Sequence, residues 1–193
     1  SFAAMEHYYQ THGREWERDA FIKTRVIAGD KAAGEELLKM LKPFVYRKYL
    51  DYGTIESIRS MKGMIEREMA RKGMHGNIKL GSGGIREIEF IAQTQQLIRG
   101  GREPQLQERH LLAVLPRMVA AGCMDPGTGD ELMQAYVFLR NIEHRLQMVA
   151  DQQTQQLPTD ETAQLKLAFA SGFVDVKSLV DGLERQRDTV ARH

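Results

Sequence analysis

Apolar residues recur every three or four positions along most of this chain, while the two-residue alternation of a half-buried strand is nearly absent. The spacing predicts helices over Phe2 to His12 and Trp16 to Ile27, broken near Gly13. Another runs over Ala32 to Tyr49, with Asp30 as N-cap and Pro43 as a kink or break. Ile55 to Arg71 follows and stops at Gly73. Ile78-Lys79-Leu80 reads as briefly extended. Ile85 to Arg99 carries the clearest pattern: Ile85, Ile88, Ile91/Ala92 and Ile98 share a face, and Gly100-Gly101 end it. His110 to Ala121 is next, halted by Gly122. "TGDE" at Thr128 to Glu131 reads as a capping box for a helix to about Val149, with Leu132, Tyr136, Leu139, Leu146 and Val149 inside. Pro158-Thr159 starts a helix to about Ala170, and a last one runs from about Asp175. The linkers are short, so the expected fold is all-α: an irregular antiparallel bundle of about seven to nine helices with little or no strand.

Composition narrows the classes. The 193 residues, 42% of them hydrophobic and 27% charged, suffice for a buried core without metal or disulfide support. A net charge of +1 gives no broad nucleic-acid or membrane surface. One cysteine, Cys123, excludes an internal disulfide framework and suits a reducing cytoplasm. No signal peptide or membrane-length apolar run is present. The abrupt opening "SFAAMEHYYQ" reads as part of something longer.

The candidate chemistry centres on "GSGG", Gly81 to Gly84. It is neither G-x-G-x-x-G, because Arg86 takes the third glycine's place, nor a Walker A loop. It is either a left-handed turn into a core helix or an anion site. The anion site would use helix N-terminal amides, Lys79 before them and Arg86 in the first turn. Arg86, Glu89, Gln93 and Gln96 share one helical face, either a solvated stripe or the lining of a cleft. Arg14, Arg18 and Arg25, near Lys23, form either a cationic stripe facing phosphate or the outer face of a helix with Trp16 in the core. Arg140, His144 and Gln147 also stack, as a polar network or a site. H-E-x-x-H, G-x-S-x-G and D-x-D are all missing.

Five stretches together resemble one family. They are "SFAAMEHYYQTHGREWERDAFIKTRVIAGD", "LKPFVYRKYLDY", "MKGMIEREMARKG", "NIKLGSGGIREIEFIAQTQQLIRGGREPQLQ" and "QTQQLP". The chain is similar over essentially its whole length to the bifunctional glutamine synthetase adenylyltransferase/adenylyl-removing family. "GGIREIEF" is similar to the amino-terminal version; the other half more often has Asp at the position of Glu87. The equivalent region of a uridylyltransferase-type relative is the rival, and "GGREPQLQ" argues against it by resemblance.

The resemblance implies two nucleotidyltransferase-like halves, one removing AMP from a tyrosine of glutamine synthetase by phosphorolysis and one attaching it from ATP. Glutamine synthetase, the PII signalling protein, nucleotide and phosphate are the implied partners, with no nucleic acid or membrane. Mg²⁺ and ATP, ADP or orthophosphate are implied for the parent enzyme, none held by this chain alone. The family's D-x-D signature is expected upstream of Ser1, so no catalytic or metal residue is expected here. Residues 1–76 would complete the nucleotidyltransferase region, and 77–193 would form the bundle that starts at the glycine turn. Arg18, Lys23, Arg25, Lys79, Gly81, Ser82, Gly83, Gly84 and Arg86 are the implied nucleotide or phosphate contacts, with Glu87 and Glu89 orienting the cations. The alternative is a non-catalytic docking module for PII or glutamine synthetase.

Overall fold

The computed structural model describes residues 1–48, 76–149 and 153–193, with positions 56, 60, 62–64 and 67 between the first two stretches. Among these residues the fold is all-α. The helices are α1 (Phe2–Thr11), α2 (Glu15–Ile22), α3 (Lys31–Val45), α4 (Ile85–Arg99), α5 (Leu111–Ala120), α6 (Pro126–Met148), α7 (Glu161–Ala170) and α8 (Val176–Ala191). A 3₁₀ turn covers Pro104–Leu106. The expected helix over Ile55 to Arg71 lies largely outside the described residues. No described helix is long and apolar enough to cross a membrane.

The chain divides into two compact units, Ser1–Ile65 with Ala92–Met124 and Glu66–Ile91 with Asp125–His193. α4 therefore gives its first half to the second unit and its second half to the first. In the first unit α1 and α2 pack on α3, and α5 packs on the 3₁₀ turn. Tyr9, Phe21 and Phe44 form an aromatic cluster there, the Tyr9 ring standing 5.0 Å from Phe44 and 5.1 Å from Phe21. Leu97, Leu106, Val114, Leu115 and Met118 are buried and belong to the same unit. In the second unit α6, α7 and α8 pack on one another. Ile78, Ile85, Ile88, Leu132, Leu139, Leu179 and Leu183 supply its core.

Several element boundaries differ from expectation, each for a local reason. α6 starts at Pro126, not after Thr128. Asp125 is its N-cap, accepting from the Thr128 amide at 3.2 Å, and Pro126 supplies a preset first-turn φ. Thr128 thus sits inside the first turn. Val149 caps the other end in an extended conformation and is 67% exposed, so it is not a core residue. α7 begins at Glu161 because Asp160, which accepts from Ala163 N at 2.8 Å, outcompetes Pro158-Thr159 as its start. α2 stops at Ile22, so the seven-residue spacing of Arg18 and Arg25 puts no shared helical face between them. Trp16 is 60% exposed and is not the core of that helix. Pro43 sits inside α3, which ends only two residues later; it does not break the helix where it stands. Ile78-Lys79-Leu80 is a turn, and its one strand-like feature is an isolated antiparallel bridge between Asn77 and Gln156.

Candidate functional site

The glycine turn of the second unit is organised by Asn77. This residue is 8% exposed, and its side-chain oxygen accepts from the amides of Lys79 at 3.0 Å and Leu80 at 2.8 Å. Its carbonyl accepts from Gly81 N at 2.9 Å and from the Arg187 guanidinium of α8 at 2.7 Å. Burial pushes Arg187 below the usual arginine range, against the opposing charge of Glu184. Gly83 has φ +65°, and a Cβ there would stand 2.2 Å from the Arg187 carbonyl oxygen. Gly84 faces three carbonyl oxygens that a Cβ would meet at 2.7–2.8 Å. Both glycines are required by close approach of backbone to backbone.

The start of a helix ordinarily leaves amide donors without acceptors. Here the turn itself takes most of them. Gly84 N donates to Gly81 O at 2.9 Å, Ile85 N to Ile78 O at 3.3 Å and Arg86 N to Lys79 O at 3.0 Å. Gly83 N donates to the Glu87 carboxylate at 2.7 Å, an early-turn acid that also suits the helix dipole. Of the four residues Gly81 to Gly84, Ser82 alone keeps an amide without an acceptor among the described residues, and Ser82 is exposed. Gly81, Gly83 and Gly84 are buried.

The cationic side chains of this region lie partly open to solvent. Lys79 is half-exposed. Arg86 keeps 32% of its side chain exposed and lies 3.8 Å from Glu89, a loose ion pair that aims the guanidinium without removing it from water. Burial raises the Tyr136 hydroxyl above its usual range; Arg140 opposes this, and Glu89 and Glu143 add to it. Arg140 is ion-paired with Glu143, whose side chain is 1% exposed. The expected Arg140–His144–Gln147 stack is thus an Arg140–Glu143 pair with His144 exposed. The sequence reading placed Tyr136 only among the inward residues of its helix and did not single out Glu143. A Tyr-x₃-Arg-x₂-Glu spacing on one helix face was the available signal.

In the first unit the cations divide by environment. Arg18 is 0% exposed. Its Nε and Nη2 donate to the Val45 carbonyl at 3.2 and 3.0 Å, closing the end of α3, and it is ion-paired with Glu15. Glu15 also lies 3.6 Å from Arg47. Lys23 donates from Nζ to Arg109 O at 3.1 Å, and Arg25 is exposed beyond the end of α2. Gln93 and Gln96, expected on a solvated or cleft-lining face, are 1% and 2% exposed. Gln96 donates to the carbonyls of Leu106 at 2.6 Å and Glu108 at 2.7 Å. Among the described residues, no three His, Cys, Asp or Glu side chains converge as metal ligands.

Comparison with known proteins places these helices. The family model described as GlnD PII-uridylyltransferase matches residues 59–193, and that described as glutamate-ammonia ligase adenylyltransferase matches residues 1–40. The bifunctional glutamine synthetase adenylyltransferase/adenylyl-removing enzymes of Hahella chejuensis and Nitrosococcus oceani are each 54% identical over 193 residues. That of Pseudomonas putida is 53% identical over the same span. Each alignment covers 100% of this chain and 20% of the relative, so the chain spans about one fifth of the length of the curated relatives it matches. The chain belongs to the family described by the GlnD PII-uridylyltransferase model, and it is similar along its whole length to one segment of the bifunctional glutamine synthetase adenylyltransferase/adenylyl-removing enzymes.

Proposed function

We propose that this chain is the helical part adjoining the adenylyl-removing centre of an enzyme that removes AMP from, and in its other half attaches AMP to, a tyrosine of glutamine synthetase. The observation that carries this reading is the full-length alignment, at 54% identity, with enzymes bearing that name. The reaction is a phosphorolysis. An oxygen of orthophosphate attacks the phosphorus of the tyrosyl–AMP ester, the bond from that phosphorus to the tyrosine oxygen breaks, ADP leaves and the tyrosine oxygen takes a proton. Mg²⁺, which neutralises phosphate charge in such transfers, and the carboxylates that hold it would come from outside this chain.

This chain's contribution is positive charge. Lys79 and Arg86, with the exposed Ser82 between them, present side chains to phosphate oxygens of the nucleotide or of orthophosphate. Lys23 and Arg25, in the first unit, offer cations of their own to phosphate. Glu89 orients Arg86. The Gly81–Gly84 backbone supports the arrangement more than it binds, since its amides are largely spent within the turn. Arg18 serves by holding α3 in place. Such fixed donors act on charge that develops during transfer. The PII protein would be the signalling partner and the cytoplasm the compartment, in keeping with a lone Cys123.

A docking role for PII or glutamine synthetase is the second reading. It is favoured by a set of exposed apolar side chains in the first unit: Phe2 (37%), Met5 (37%), Tyr8 (47%) and Trp16 (60%). Titration of the chain with ADP and with orthophosphate, followed by amide shifts, separates the two. Saturable shifts at Lys79, Ser82 and Arg86 support the phosphate-facing role. Silence there, with shifts on α1 and α2 when PII or glutamine synthetase is added, replaces it with docking.

A further inference from the structure

The glycine turn of the second unit is gripped from far along the chain. Arg187, on α8, lies 110 positions after Asn77, and its Nη2 donates to the Asn77 carbonyl at 2.7 Å. A charged donor on a carbonyl makes one of the stronger hydrogen bonds available to a side chain. The backbone of α8 meets the same turn. A Cβ on Gly83 would stand 2.2 Å from the Arg187 carbonyl oxygen and 2.6 Å from the Arg187 Cα. Arg187 therefore touches the turn twice, through its guanidinium at Asn77 and through its backbone at Gly83. The helix that carries it is itself well anchored. Leu179, Leu183 and Val190 are buried, and α8 packs on α6 and α7. Its first turn is closed by a capping box, in which Asp175 accepts from Ser178 N at 2.7 Å and Asp175 N donates to the Ser178 hydroxyl at 3.3 Å.

From Asn77 a short series of hydrogen bonds leads to Arg86. Arg187 holds the Asn77 carbonyl, and the Asn77 side-chain oxygen accepts from Lys79 N at 3.0 Å. The Lys79 carbonyl in turn accepts from Arg86 N at 3.0 Å. Three bonds thus join a helix fixed in the core to the residue that opens its half-exposed guanidinium to solvent. The segment before the turn is held separately. Ile78 N donates to Gln155 O at 2.9 Å, and Leu157 N donates to Gly76 O at 3.0 Å. Those two bonds anchor the entry to the turn. Of the printed bonds, the one from Arg187 is the side-chain bond that ties the Asn77 carbonyl to α8.

We propose that Arg187 is a positioning residue for the phosphate transfer: it acts through Asn77 and Lys79 to fix where Arg86 presents its guanidinium. This rests on the phosphate-facing role proposed above for Arg86. A cation that stabilises charge developing during transfer must already be in place when the bond breaks, because moving it then adds to the barrier. Loss of the Arg187 bond lets the turn shift against α8 and spreads Arg86 over several placements. The consequence falls on turnover and not on substrate binding, since Arg86 is one contact among many to a protein substrate.

The test is a double-mutant cycle in a full-length enzyme containing this region, with phosphorolysis of adenylylated glutamine synthetase as the reaction. Arg187→Met keeps a long unbranched side chain without a donor, and Arg187→Lys keeps a donor. Arg187→Met should lower kcat about fivefold and leave KM for adenylylated glutamine synthetase within about twofold. Arg187→Lys should recover most of that loss. In an Arg86→Ala background, Arg187→Met should cost less than about twofold more, because the cation it places is gone. A bond that served stability alone would lower turnover by the same factor in both backgrounds. Equal factors, no recovery by Arg187→Lys, or an unchanged kcat in Arg187→Met would overturn the proposal. If Arg187→Met does not fold by circular dichroism, Arg187→Gln in both backgrounds carries the same comparison. Arg86→Ala alone reads the function proposed above. If it lowers turnover and Arg187→Met does not, the positioning role fails and that function stands; if Arg86→Ala leaves turnover unchanged, that function fails first.

Discussion

The two ends of α4 treat charge in opposite ways. At its N-terminus, where helix physics favours an anion, the amides of Gly83, Gly84, Ile85 and Arg86 are absorbed by Glu87 and by carbonyls of the preceding turn. At its C-terminus, where helix physics disfavours an anion, Lys48, Arg99 and Arg102 line an open groove. Both ends use glycines for the same purpose, close backbone approach to Arg187 in one unit and to Arg47 in the other. A glycine-rich entry to a helix is therefore not in itself a phosphate cradle. What decides is whether the amides it exposes still need partners.

Breaking either glycine turn should have the largest effect. Gly83→Ala imposes a left-handed φ on alanine and drives its Cβ onto the Arg187 backbone, and Gly101→Ala drives one onto the Arg47 carbonyl. Each should lower unfolding stability by about 3 kcal/mol, read from urea midpoints. Gly122 provides the control: its φ is also +65°, yet nothing lies within 4 Å of its Cβ position, so Gly122→Ala should cost only about 1 kcal/mol. Equal losses at Gly83 and Gly122 would mean that φ alone matters and that close approach does not.

Asn77→Ala comes next. It removes the side-chain acceptor for two amides at a nearly buried position. About 2 kcal/mol should be lost from the second unit.

A smaller effect depends on pH. Tyr46 is held neutral in the fold to about 12, against an ordinary value of 10.0, by burial first and Glu108 second. Above pH 10 the unfolded chain gives up this proton before the folded one does. Stability from Tyr46 is therefore complete below pH 10 and is lost as pH rises toward 12. Urea unfolding of wild type and Tyr46→Phe at pH 9 and pH 11 should show a steeper alkaline loss in wild type. Identical slopes would mean that burial does not hold Tyr46 neutral in the fold. Smallest of all, Arg99→Gln should change stability by less than about 0.5 kcal/mol, read from the same urea midpoints.

The contrast between the ends also shows what the sequence could convey. α4 was legible to the residue because its isoleucine spacing and the Gly100-Gly101 stop are both local signals. The starts of α6 and α7 were misplaced because Asp125 and Asp160, cap residues of equal standing by composition, lay just outside the stretches that first suggested a start. Gln93 and Gln96 read as a polar surface. Their burial depends on partners such as the Leu106 and Glu108 carbonyls, which lie in a loop that no periodicity announces. Arg18 likewise depends on the Val45 carbonyl, 27 residues away. For the candidate site, sequence singled out the glycines and cations but not which of the turn's amides were already engaged. That is a matter of three-dimensional hydrogen bonding.

The most direct test of the functional account is phosphorolysis of adenylylated glutamine synthetase by a full-length enzyme containing this region, wild type against Arg86→Ala. ADP release is the readout, with circular dichroism confirming the fold. The account predicts turnover at least about tenfold lower, since a positioned cation is lost where charge shifts during transfer. Unchanged turnover in a folded variant would contradict it and leave the N-terminal end of α4 as scaffold.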